Sequence, residues 1–120
     1  MKYLNKILET NEITPDMREK AERLYLEAKS RAENLPLTFG EDAQLMLSNH
    51  LMALIKRVLE GRFTDPMEEE MLSEISEKAW EYADIIAGPL FVEAGIEKDR
   101  TELFLVGTHA EMAMAAEAAR

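Results

Sequence analysis

Two stretches of the chain each carry one of its two histidines, and a charged residue stands seven positions from each. His50 lies in the stretch LSNHLMALIKR with Arg57 seven residues later, and His109 lies in ELFLVGTHAEMA with Glu102 seven residues earlier. Residues seven apart on an α-helix share a face, about two turns apart along the axis. The spacing therefore predicts that each histidine shares a helix face with its charged neighbour.

Metal binding, acid-base catalysis and phosphoryl transfer all use histidine, and the accompanying residues distinguish them. Metal-binding bundles use Glu-x-x-His pairs or His-x-x-x-His spacing, whereas Leu47 and Val106 stand three positions before the two histidines. The chain has no cysteine, no Gly-x-Ser-x-Gly motif and no glycine-rich phosphate loop. The sequence therefore predicts no metal site, no cofactor and no enzymatic activity of its own.

His50 and Arg57 together could meet the requirements of phosphoryl acceptance. That chemistry needs a neutral ring nitrogen with an exposed lone pair and a nearby cation to balance the added charge. A histidine on an amphipathic helix also serves as an ordinary packing residue. The residues alone leave both interpretations open, a phosphoacceptor pair or an interaction subunit whose histidines only pack.

Composition limits the class of protein. A chain of 120 residues with 47% hydrophobic content can bury one core, and a net charge of −10 repels a nucleic-acid backbone on average. No apolar run approaches the roughly 20 residues that span a bilayer, and the first residues carry no signal-peptide pattern. We therefore expect one cytoplasmic domain that binds neither nucleic acid directly nor a membrane.

Caps and prolines divide the first half of the chain into helices. Thr14 followed by Pro15 predicts the start of one helix. A second is predicted over residues 41–60, with Gly61 just beyond its end. Residues 1–13 form a lead segment, either a short amphipathic helix or a loose stretch that packs against a partner.

Prolines and caps also mark the second half. Asp65-Pro66 predicts the start of a third helix, and Gly88-Pro89 predicts a break or kink in it. A short helical piece to about Gly95 follows. Asp99, with Glu102 three residues later, predicts a capped start for a last helix that reaches the C-terminus.

No segment shows the sustained alternation of apolar and polar residues that is typical of a β-strand. The sequence therefore predicts an all-α fold for residues 14–120, a compact antiparallel bundle of about five helices. Each histidine stands at the margin of its helix's apolar stripe. The apolar residues expected around both rings are Met46, Leu47, Leu54, Val106 and Met112. We expect the two rings on neighbouring antiparallel helices, facing one surface at or near the interface of a symmetric homodimer.

The segment Leu47-Ser48-Asn49-His50-Leu51, with Arg57 and Gly61 after it, resembles the first histidine motif of the PTS regulation domain, or PRD. This all-helical module occurs in bacterial antiterminators and transcriptional activators that the sugar phosphotransferase system controls. The second motif of the family is resembled by Glu102, His109 and Ala113. The two histidines stand 59 positions apart, which is also similar to the family.

The resemblance implies a regulatory function. His50 and His109 would accept phosphate from the phosphocarrier HPr or a sugar-specific enzyme IIB, and phosphorylation would shift a dimer equilibrium. Asn49, Arg57 and Glu102 would support the two histidines.

Two features depart from the family pattern. Phe104 stands where the second motif has a small residue, and Ala110 stands where it has a large aliphatic one. The chain also has one copy of the module and no RNA-binding or helix-turn-helix domain, so it resembles the small stand-alone members.

Overall fold

Six helices and their connections make up residues 4–63 and 65–119, the part of the chain that the computed structural model describes. The helices are α1 Leu4–Thr10, α2 Pro15–Glu33, α3 Glu41–Glu60, α4 Glu69–Leu72, α5 Glu77–Ala94 and α6 Arg100–Ala118. No strand occurs in this part of the chain, so the predicted all-α fold is confirmed. None of these helices is long and apolar enough to cross a membrane.

The predicted caps lie where the sequence indicates. Thr14 precedes α2 in an extended conformation, with Pro15 at the first helical position. Gly61 ends α3 in the left-handed region, at φ 71°, which glycine adopts without strain. The Asp99 side chain accepts a hydrogen bond from the backbone N–H of Glu102 at 2.9 Å and so caps α6.

The four long helices pack into a bundle around one core. Helix α5 packs along α6, α2 packs against α3 and α5, and α3 packs against α5 and α6. The short α1 lies on α3, and α4 lies on α6. The largest fully buried side chains are Tyr25, Leu51, Met52, Leu54, Ile55, Ile86, Leu90, Phe91, Glu102 and Val106. Glu102 is the one charged residue in that group, and its partner lies on α3.

The prediction that Asp65-Pro66 starts a continuous third helix is wrong. Residues 65–68 are not helical, α4 is a single turn, and α5 begins only after Ser76. Contacts from α6 hold both segments, since the Met67 N–H donates to Thr101 Oγ1 at 3.0 Å and the Ser76 N–H donates to Glu111 at 2.8 Å. Ser76 starts α5 as a local cap, since its Oγ accepts a hydrogen bond from the Ala79 N–H at 3.1 Å, and Glu111 of α6 fixes that cap by accepting from the Ser76 N–H.

The sequence predicts a break or kink at Gly88-Pro89, and the break does not occur, because α5 continues through Pro89 to Ala94. A proline inside a helix lacks an N–H and leaves carbonyls of the preceding turn short of donors. The carbonyl that loses its donor is that of Ile85, four residues before Pro89. Arg31 of α2 donates its Nε–H to the next carbonyl, Ile86, at 3.0 Å and so holds this turn of α5 against α2.

Replacing Pro89 by alanine should stabilise the fold. The substitution restores an N–H inside α5, which stabilises the helix. It also removes the restriction that proline places on the unfolded chain, which offsets part of that gain. We expect the free energy of unfolding to rise by about 1 kcal/mol in total. Urea denaturation followed by circular dichroism measures this. Val92→Ala on the same helix, at a side chain that is 67% exposed, is the control and should change stability little. A Pro89→Ala variant less stable than wild type would contradict the account.

Candidate functional site

Two side-chain contacts between α3 and α6 define how these helices lie against each other. His50 Nδ1 lies 3.3 Å from His109 Nε2, and Arg57 forms an ion pair with Glu102. The partners follow opposite orders along the two helices, so α3 and α6 are antiparallel. The prediction that the histidines come from neighbouring antiparallel helices and share one surface is confirmed.

The two imidazole rings meet edge to face. Their centroids lie 5.2 Å apart and their planes are inclined by 80°. A short contact between two ring nitrogens is favourable when one carries a proton and the other a lone pair. The arrangement therefore fits one shared N–H···N hydrogen bond between neutral rings.

Burial keeps both rings neutral at physiological pH. The pKa of His50 is lowered from its ordinary 6.5 to about 4, mainly by burial and further by His109 and by the positive charge of Arg57. Burial likewise lowers the pKa of His109. A neutral imidazole has an unprotonated nitrogen, which is the form that can attack an electrophile or bind a proton.

The Nε2 nitrogen of the His50 ring is enclosed by protein. His50 Nε2 is buried and has no hydrogen-bond partner among the described residues, while Nδ1 faces His109. A buried polar atom without a partner is unfavourable and marks a position that packing alone does not explain. The ring must turn before Nε2 can meet a molecule from solvent.

Arg57 holds Glu102 through two hydrogen bonds. Its Nε donates to Oε2 at 2.6 Å and its Nη2 donates to Oε1 at 2.8 Å, the fork geometry that guanidinium and carboxylate favour. The Glu102 side chain is fully buried, whereas that of Arg57 is 24% exposed. The cation that the sequence places beside His50 thus already neutralises a buried carboxylate.

The Arg57–Glu102 pair was not predicted, although the sequence contains a signal for it. Both motifs separate the histidine from its charged residue by seven positions. Once His50 and His109 face each other on antiparallel helices, equal spacing places Arg57 opposite Glu102. The spacing alone does not indicate that α3 and α6 are neighbours, and that step needs the fold.

The histidines lie in an open surface depression between α3 and α6. It is lined by Met46, Asn49, His50, Ala53, Arg57, Leu105 and His109. Of the apolar residues expected around the rings, Met46 and Met112 are 52% and 59% exposed, whereas Leu47, Leu54 and Val106 are buried in the core. Met46 is therefore an exposed apolar residue of the lining, and Met112 is an exposed side chain three residues after His109 on α6.

Asn49 connects the site to the first helix. Its Oδ1 accepts a hydrogen bond from Asn11 Nδ2 at 2.9 Å, and the same amide group of Asn11 also donates to the Ile7 carbonyl. Ile7 and Leu8 are buried against the core. Within the lead segment, residues 4–10 thus form a helix that packs on α3 of its own chain, while residues 1–3 lie outside the described part.

Comparison of the chain with protein-family models, curated proteins and solved structures finds no match in any of the three. Within residues 4–63 and 65–119, no group of three or more histidine or carboxylate side chains is placed to hold a metal ion. The site is therefore described by its own geometry: two neutral rings in contact, beside a buried ion pair.

Stability should fall in mild acid because of His50. Its pKa is about 4 in the folded chain and near 6.5 in the unfolded chain, so the unfolded state binds more protons below pH 6.5. We expect His50 to account for a loss of roughly 2 kcal/mol between pH 7 and pH 5. Urea denaturation at both values measures it, with His50→Gln as the comparison. If the free energy of unfolding changed equally with pH in wild type and in His50→Gln, the result would contradict a His50 ring that is buried and neutral in the fold.

Removing the Arg57 guanidinium should destabilise the fold strongly. Arg57→Ala leaves Glu102 buried without its cation, and we expect a loss of about 3 kcal/mol at neutral pH. The control is Arg18→Ala, which removes an exposed ion pair with Glu22 and an exposed hydrogen bond to Asn5 and should cost less than about 1 kcal/mol. Equal losses in the two variants by urea denaturation would show that the Glu102 carboxylate does not depend on Arg57.

Proposed function

We propose that the chain is a phosphorylation-responsive regulatory module of the bacterial sugar phosphotransferase system, which accepts phosphate on His50 or His109 and then changes its association with itself or a partner. The observation that carries the proposal is the contact between two neutral histidine rings in an open depression. The two motifs that resemble those of the PRD family supply the identity of the system.

The protonation state of the rings favours phosphoryl acceptance. A ring nitrogen attacks the phosphorus with its lone pair, and the low pKa of His50 keeps that ring unprotonated. With phosphorylated HPr as donor, the P–N bond on the donor histidine breaks as a P–N bond forms on the acceptor. The donor nitrogen takes back its electron pair, and the proton on the acceptor's other nitrogen stays in place.

The two nitrogens in contact cannot both react in the observed arrangement. His50 Nδ1 and His109 Nε2 face each other at 3.3 Å, which leaves no space for a phosphoryl group between them. Transfer to either of these two nitrogens therefore requires one ring to turn towards the depression and break the His50–His109 contact. This coupling makes the ring contact itself sensitive to phosphorylation.

Charge provides the link to self-association. A phosphoryl group adds about −1.5 to −2 charges near neutral pH, and the chain already carries −10. The exposed Met46 and Met112 beside the rings are suited to a contact with a second copy. In a symmetric dimer through this face, the added charge appears twice across one contact and weakens it.

A second candidate function is an interaction subunit whose histidines only pack. It is favoured by the engagement of Arg57 with the buried carboxylate of Glu102. Under this alternative the ring contact is a structural hydrogen bond and no phosphodonor reacts with it. The two functions differ in whether acid-labile phosphate forms on either histidine.

Phosphorylated HPr or a cognate phosphorylated enzyme IIB should modify the chain. We expect a mass increase of one phosphoryl group that is labile to acid, and a shift of the sedimentation profile from dimer towards monomer, because negative charge accumulates on the shared face. Intact-mass spectrometry and analytical ultracentrifugation of the same samples measure the two effects.

Single and double variants identify the acceptor. His50→Ala and His109→Ala each test one ring, and the double variant should not be labelled at all. Leu26→Ala, at an exposed side chain on α2, is the control for an alanine substitution away from the histidines and should be labelled like wild type. Absence of acid-labile phosphate from wild type with both donors would favour the packing function.

A further inference from the structure

Arg57 lies between a buried carboxylate and the depression that holds the two histidines. Two of its nitrogens, Nε and Nη2, bind the carboxylate of Glu102, and the side chain also lines the depression that holds His50 and His109. Its positive charge is felt at the ring, since it contributes to the low pKa of His50. Arg57 is thus positioned to interact with either neighbour.

The described lining of the depression offers a phosphoryl group one cation. Among the described residues that line the depression, Arg57 alone carries a positive charge. In the unmodified chain its charge is balanced by Glu102, so the pair is neutral. A phosphohistidine beside this pair brings an anion of higher charge than a carboxylate, with three acceptor oxygens for the same guanidinium.

We propose that Glu102 and a phosphoryl group on His50 or His109 compete for Arg57, so that phosphorylation breaks the ion pair between α3 and α6. The inference rests on the proposed function, because it requires the phosphohistidine. The carboxylate that loses its cation is fully buried, and an unpaired buried charge is strongly unfavourable. The first turn of α6 must then move towards solvent, or Glu102 must take up a proton.

The competition for Arg57 would change the structure at Glu102, at a distance from the phosphorylated histidine. Glu102 lies seven residues from His109, roughly 10 Å along the helix, in the capped first turn of α6. Its neighbour Thr101 accepts a hydrogen bond from the Met67 N–H and so holds the segment before α4. Release of Glu102 therefore loosens a second region of the surface, which a partner can distinguish from the unmodified form.

Glu102→Gln tests the competition, because glutamine keeps the shape of the side chain and removes its charge. Phosphoramidate is the phosphodonor, since this small molecule needs no docking surface: its P–N bond breaks, ammonia leaves and a P–N bond forms on the histidine. In the variant Arg57 is free to bind the phosphoryl group. We expect hydrolysis of the phosphohistidine to be roughly tenfold slower than in wild type, the effect of about one charge-assisted hydrogen bond at a partly exposed site.

Glu60→Gln is the matched control. It removes the same charge from an exposed position on α3, and its phosphohistidine should hydrolyse at the wild-type rate. In wild type, phosphorylation should also lower the urea midpoint, because the buried carboxylate loses its partner, whereas in Glu102→Gln it should not.

A measurement on wild type keeps the test independent of how well the variant folds. The Arg57 Nε proton is hydrogen-bonded to Glu102, and its NMR resonance should move and exchange faster with solvent after phosphorylation. An unchanged resonance, together with equal hydrolysis rates in all three proteins, would overturn the competition while a labelled histidine leaves the phosphoacceptor function standing. If no histidine is labelled by phosphoramidate or by the protein donors, the proposed function is overturned and the competition with it.

Discussion

The ion pair between Arg57 and Glu102 is the interaction on which the site depends. Glu102 is fully buried, so the fold is favourable only when the guanidinium stands opposite it. That requirement sets the register of α3 against α6, because a shift by one turn would separate the two charges. The same register brings His50 and His109 into contact two turns away. A buried charge pair thus positions two neutral rings.

The neutral rings are a consequence of where that register places them. Both lie at the edge of the core, where burial disfavours the charged imidazolium, and the nearby guanidinium adds to the effect at His50. The site therefore combines uncharged histidines with a cation that is already engaged. An added anion would change the balance of charge at every one of these groups.

The sequence predicts the elements better than it predicts their contacts. Local signals determine the caps at Thr14, Gly61 and Asp99, since each depends on a few neighbouring residues. The continuation of α5 through Pro89 is not indicated by any local pattern, since Gly88-Pro89 predicts a break or kink. The helix faces of both histidines follow from seven-residue spacing, whereas the pairing of the charged residues also needs the antiparallel packing of α3 and α6. The resemblance to the PRD family concerns the two motifs and stays an expectation.

The most direct test of this account is a scalar coupling between ring nitrogens across the His50–His109 hydrogen bond. It is measured by NMR at neutral pH on chain labelled with ¹⁵N in histidine. We predict a resolved coupling between His50 Nδ1 and His109 Nε2 in wild type, and its loss in Arg57→Ala because the helix register relaxes. Two independent neutral rings with no coupling, or a coupling that survives the loss of Arg57, would contradict the claim that the ion pair holds the rings together.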